Sequence, residues 1–314
     1  MLLFGLALAA CSLCLIALKG VERSYGLLLC LIAFAGIGCG CIDSLGSAVL
    51  SELYPGKGSV MSLYHATYGC AGLMMPFVFG LLSGKGVFGG LGFRGAYAFV
   101  GMLALLPLAV MALGVLPGYR EGRQGPARRV SPGLIGQTLS EKRLLPVFAS
   151  AILGGMYLNT MLVWTPRFIV YGHGGAEYEK WALACVYLAI TLSRLLMSLL
   201  KPNMRKTLWL LMPVSALGLL AAIWVKQPLW ALIFVFASVF CCAPVIPFQV
   251  TIASDMLPEK RFLITLLLMF IMMLGQTLIA PIIGAAESAW GINSAMYLAA
   301  GAMALSWIAA LRIK

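Results

Sequence analysis

An all-α membrane fold built from two helical bundles follows from three observations on the sequence. The chain is 62% hydrophobic and 10% charged, with a mean hydropathy of +0.99, where a soluble domain carries about 25% charged residues. Its apolar residues gather into runs of roughly 20 residues, the length that crosses a hydrocarbon core. One short stretch also occurs twice, as Ser51-Glu52-Leu53-Tyr54-Pro55-Gly56-Lys57 and, 203 positions later, as Ser254-Asp255-Met256-Leu257-Pro258-Glu259-Lys260. The same offset pairs Gly72 with Gly275. Each copy closes one apolar run and opens the next, as in a chain of two parallel halves.

Ten runs are predicted to span: Leu2 to Leu18, Leu27 to Leu53, Ser59 to Ser83, Arg94 to Leu116, Leu144 to Phe168, Glu179 to Leu200, Thr207 to Val225, Pro228 to Ala253, Phe262 to Ala285 and Ile292 to Leu311. They are helices, because a spanning segment must satisfy its backbone internally and these runs are too long and evenly apolar for barrel strands. The first enters its apolar stretch at Met1-Leu2-Leu3 with no basic segment before it, which favours a span over a signal peptide. Pro117 to Arg143 holds six basic residues, two acids and several Gly and Pro, and reads as a flexible cytoplasmic linker. It divides an N-terminal bundle of four spans (1–116) from a C-terminal bundle of six (144–314). The second copy of the repeat closes the fourth span after the linker, whereas the first copy closes the second span of the chain. Equivalent halves therefore imply a 6+6 plan, two spans short before Met1. Ten spans put both termini on one side, and placing them inside puts fifteen of the 22 basic residues there, as the positive-inside rule prefers.

The net charge of +12 is scattered between spans and forms no basic stripe, so it marks loops at a lipid bilayer rather than a nucleic-acid partner. All nine cysteines lie inside apolar runs and read as packing residues, not as disulfides, metal ligands or a redox pair. No Walker motif, HExxH, serine elbow or Rossmann fingerprint occurs. The sequence therefore implies no enzyme, no cofactor and no bound metal, and any transport is driven by a gradient.

Two ionisable residues sit deep in the first bundle. Asp43 lies ten residues, about 15 Å, from the end of its helix, near the bilayer midplane, where a carboxylate costs about 2.5–3.5 kcal/mol to insert. It is a candidate proton carrier. His65 lies about 10 Å into the next helix, and the turn at Tyr54 to Gly58 brings it to a similar depth, where the two could form an acid–imidazole pair in a substrate or proton path, with a structural polar clamp the alternative. Ser62, Tyr64 and Tyr68 share the turns around His65 and suit a polar solute, although aromatic residues also simply pack. In the second bundle the candidates are Asn159, Trp164, Gln249 and Gln276, with interhelical hydrogen bonding the alternative for the amides. Arg194 is expected to snorkel or to dock a loop. Gly36 and Gly40 permit close helix packing, and Pro76, Pro244, Pro247 and Pro281 are expected to kink their spans.

These segments carry a resemblance. Gly40-Cys41-Ile42-Asp43, Ser47, Pro55 and Ser62-Leu63-Tyr64-His65-Ala66-Thr67-Tyr68-Gly69 resemble the fourth and fifth helices of the major facilitator superfamily, and within it the fucose-permease-like sugar:proton symporters. Ser193-Arg194 is similar to the Gly-Arg of the eighth helix, Pro244-Val245-Ile246-Pro247 to the tenth, and Gly275, Pro281 and Gly284 to the eleventh. The resemblance implies that Asp43 is the membrane acid used for sugar binding and proton coupling, and adds Ser47, where the group often has Asn, to the pathway. Near Asn159 and Trp164 the group often has a Glu, and here there is none. The implied activity is proton-coupled transport of a small polar organic solute, sugars included, by alternating access in the plasma (inner) membrane. A drug or metabolite exporter of the same superfamily, and a truncated membrane protein that transports nothing, remain alternatives.

Overall fold

The computed structural model describes residues 1–83, 92–115 and 131–313. Lys85, Arg120, Arg123, Arg128, Arg129 and Lys314 of the charge count, and residues 117–130 of the expected linker, lie outside the described residues.

Among the described residues each of the ten apolar runs is helical over most of its length. The helices are α1 (Leu2–Ile16), α2 (Tyr25–Leu53), α3 (Gly58–Ser83), α4 (Gly92–Val110), α5 (Pro132–Leu139), α6 (Leu145–Arg167), α7 (Glu179–Leu200), α8 (Met204–Trp224), α9 (Pro228–Cys242), α10 (Val245–Met256), α11 (Arg261–Trp290) and α12 (Ile292–Ala310). Among the described residues nine stretches are long and apolar enough to cross a membrane, with α9 and α10 together forming one of them. The first run is a 15-residue helix, shorter than the expected span, and beyond its end Gly20 turns the chain with a left-handed φ of 96°. The end of the expected linker is ordered as α5, with Ser131 Oγ accepting from Leu134 N at its cap. Short π-helical turns extend α4 (Met111–Val115) and α6 (Phe168–Gly172).

The repeat marks equivalent corners. α2 ends at Leu53 and α3 starts at Gly58; α10 ends at Met256 and α11 starts at Arg261, the same offset at every boundary. Ser51 Oγ donates to Ala48 O at 2.8 Å, and its repeat partner Ser254 Oγ donates to Thr251 O at 2.9 Å. Both hydroxyls are thus satisfied inside their own helix, as a polar group in lipid requires.

Packing divides the chain into two units. The first is Met1–Gly46 with Met74–Val130, the second Ser47–Leu73 with Ser131–Lys314. The expected bundles put residues 47–73 with the first half; packing groups them with the second. In the first unit α1 lies against α4, where a Cβ on Gly101 would stand 2.9 Å from Cys14 N, and Ile16, Val21 and Leu31 form a small core. An Arg94–Glu22 ion pair closes its loop end. The second unit holds the main core, from Val147 and Tyr157 on α6 through Ile190, Met212 and Val239 to Met303 on α12. All nine cysteines are free thiols.

Candidate functional site

Ser47, Ser62, His65 and Tyr68 are carried by the α2–α3 hairpin. Gly56 makes its turn with φ +71°, and the Lys57 ammonium sits 5.6 Å from the Tyr54 ring centroid. From the turn α3 runs antiparallel to the end of α2 and brings His65, 6% exposed, against Ser47. The His65 Nε2 to Ser47 Oγ distance is 3.4 Å, and Tyr64 meets the imidazole edge-on at 5.2 Å. Ser62 Oγ, one turn earlier, is buried with no hydrogen-bond partner among the described residues. Asp43 precedes Ser47 by one helical turn on α2, half-buried, and belongs to the first unit. An imidazole held by a hydroxyl can exchange donor and acceptor roles with a solute hydroxyl or a proton.

Arg194 corrects the expectation from sequence. It does not snorkel: it is 2% exposed. Its Nε donates to Ala243 O at 3.0 Å and its Nη1 to His65 O at 2.8 Å. The reason lies four residues beyond Ala243. A helical carbonyl bonds the N–H of residue i+4, residue 247 is proline, and proline has no N–H. The guanidinium supplies the donor the chain lacks there, at the break between α9 and α10.

Tyr68 is 49% exposed, its ring 6.0 Å from that of Tyr187. Gln249 Nε2 donates to Ser150 Oγ at 2.6 Å, within a buried cluster that joins α6, α10 and α12. There Ser150 Oγ donates to Ser306 O at 2.9 Å, and Ser306 Oγ returns a bond to Ser150 O at 2.7 Å. Asn159 and Gln276 are half-buried. Trp164 lies under the Arg167 guanidinium, 5.4 Å from centroid, with its indole N–H buried and without an acceptor among the described residues. Arg167 in turn bonds Glu287 on α11 at 2.5 Å. Sequence reasoning missed the serine pair and a second hydroxyl cluster, in which Tyr157 Oη meets Ser238 Oγ at 2.6 Å and Ser238 donates to Ser215 O. Isolated serines in apolar runs were the available signal.

A search of curated proteins finds no match. The fold matches a crystal structure of FucP, a Major Facilitator Superfamily transporter in the outward conformation, at a TM-score of 0.77 and 15% identity, covering 100% of this chain and 82% of that one. It also matches the E. coli fucose:proton symporter FucP, at a TM-score of 0.71 and 16% identity, covering 100% and 83%. The family model for the Major Facilitator Superfamily matches residues 1–201, more than half of the chain. This multi-pass membrane protein therefore belongs to the major facilitator superfamily, whose members are transporters and not enzymes.

Proposed function

We propose that the protein is a proton-coupled symporter of a small polar organic solute, with sugars the leading class, working by alternating access in the plasma (inner) membrane with cytoplasmic termini. Asp43 takes up and releases the proton. Ser47, His65, Tyr68, Asn159, Trp164 and Gln276 contribute polar and aromatic contacts along the path, whereas the bond from Gln249 to Ser150 gives that amide an architectural role. The observation that carries the reading is the buried His65–Ser47 contact, one turn along α2 from a carboxyl. Ionisable groups at such depth are rare and mark solute and proton paths. The hydroxyl, imidazole, amide and indole groups on offer are those that pair with hydroxyl-rich ligands, and the fold neighbour described as a fucose:proton symporter points to the same class.

The test is uptake into proteoliposomes. A panel of radiolabelled sugars is offered under an imposed pH gradient, with the external pH recorded. A sugar that enters and alkalinises the medium supports the reading. Purified, folded protein that moves neither sugar nor proton sinks it, and drug counterflow without sugar uptake supports an exporter.

A further inference from the structure

We propose that Arg194 is a positioning residue, a polar clasp that holds the Ser47–Leu73 hairpin against α7 and the α9–α10 break and lets go when the transporter opens to the cytoplasm. The inference rests on the alternating-access reading above. Arg194 acts through the backbone carbonyls of two other elements.

Three observations support it. First, glycines line part of the hairpin seam. A Cβ on Gly69 would stand 3.1 Å from Thr191 N, one on Gly72 would strike the Tyr187 ring, and one on Gly58 would lie 3.4 Å from Phe248 Cδ1. Such glycines let the backbones approach closely, while Met61 and the Tyr68–Tyr187 ring pair also pack across the seam. Second, among the described residues the seam is tied by Arg194 to His65 O and, at the turn end, by Thr265 Oγ1 to Ser51 Oγ at 3.0 Å, while the Ser47–His65 contact lies within the hairpin itself. Among these Arg194 alone is charged, and charge-assisted bonds are the strong ones. Third, the other arm of the guanidinium is anchored on Ala243 O, a carbonyl that Pro247 leaves without its helical donor. One arm is therefore fixed by sequence, and the other reaches the hairpin. If the hairpin leaves, the Ala243 arm persists and the His65 arm turns to water entering from the cytoplasm.

The chain supplies its own reporter. Cys242 directly precedes Ala243 and is 2% exposed; Cys185, half-buried on α7, is the control. Inside-out membrane vesicles are treated with an impermeant maleimide, and modification of each cysteine is followed by mass spectrometry. Arg194→Gln is expected to raise the Cys242 rate about five- to thirtyfold, the shift that interhelical hydrogen bonds produce in lipid, and to leave Cys185 unchanged. Arg194→Lys keeps the charge but lacks the rigid fork whose separate Nε and Nη1 reach Ala243 O and His65 O, so its rate stays raised; a role for charge alone predicts full rescue. Thr265→Val removes a neighbouring tie of the same seam and keeps the charge; it serves as the second variant should Arg194→Gln fail to reach the membrane, and it raises Cys242 labelling too. Wild-type Cys242 labelling in either Arg194→Gln or Thr265→Val overturns the clasp, as does a joint rise of Cys242 and Cys185. Labelling that behaves as stated in a protein that moves no solute leaves the clasp standing and removes the symporter reading.

Discussion

Gly275→Ala tests how the second unit is held together. α6 and α11 cross at a pair of glycines: a Cβ on Gly275 would press on the Ile152 carbonyl, 2.9 Å from its carbon, and one on Gly155 would lie 3.1 Å from the Met272 carbonyl carbon. Carbon pairs rest at about 3.5–4.0 Å, so the helices must part by roughly 0.6–1 Å, and the obstacle is backbone, which cannot rotate away. Overpacking costs about 1–3 kcal/mol, and a rigid obstacle calls for the upper figure. Alanine returns about 1 kcal/mol in helix propensity. The net loss is about 2 kcal/mol, on the order of thirtyfold in the folded population. Gly284, nine residues further along the same helix, has open space where its Cβ would go, so Gly284→Ala keeps the propensity gain and loses nothing. The assay is the heating midpoint of detergent-solubilised protein, read by recovery of the monodisperse chromatographic peak. Gly275→Ala should melt below wild type and Gly284→Ala at or above it. The reasoning is refuted if Gly275→Ala melts as high as Gly284→Ala.

Other outcomes are as definite. Asp43→Asn should abolish solute accumulation driven by a pH gradient while sparing solute counterflow, and undiminished accumulation removes Asp43 from proton coupling. Ser150→Ala leaves Gln249 and Ser306 short of a partner and should cost about 1–3 kcal/mol; adding Ser306→Ala should cost less than the two single losses summed, which a double-mutant melting cycle measures. His173, outside the spans, packs edge-on to Phe168 at 4.7 Å. Burial holds its imidazole below the ordinary 6.5, against hydrogen bonds to the Lys226 and Val225 backbone that pull it upward. The unfolded chain then takes the proton first, so stability present above pH 6.5 is lost as pH falls below it. Melting midpoints should drop from pH 7 to pH 5 in wild type and drop less in His173→Gln; equal slopes contradict the assignment.

Much of this was written in the sequence, for physical reasons. Lipid admits few structures, so apolar runs alone give the helices. The repeat went further: one offset fixes the ends of α2 and α10, the starts of α3 and α11, and even the inward-bonded serines at positions 51 and 254. The hidden part depends on which helices meet. Arg194 reads as a snorkelling residue until its neighbours are known, because the same side chain serves water or a carbonyl. A clue was nonetheless present: Pro247 declares that the carbonyl four residues earlier needs a donor from elsewhere, and an arginine inside an apolar run is a donor seeking acceptors. Gln249 was legible as a buried amide, but its serine partner is 99 positions away and no local pattern announces it.

The reciprocal Ser150–Ser306 bonds have a mechanical meaning. An apolar seam in lipid tolerates slip, since one leucine row fits the next nearly as well after a step. Here each serine donates into the other's backbone, and Gln249 adds a third arm. Sliding α6 past α12 by a single residue, about 1.5 Å, would break these bonds together and offer no replacement. The crossing is keyed like a shaft to its hub, so α6, α10 and α12 travel as one piece, and whatever displacement the transport cycle demands must be taken up elsewhere in the chain.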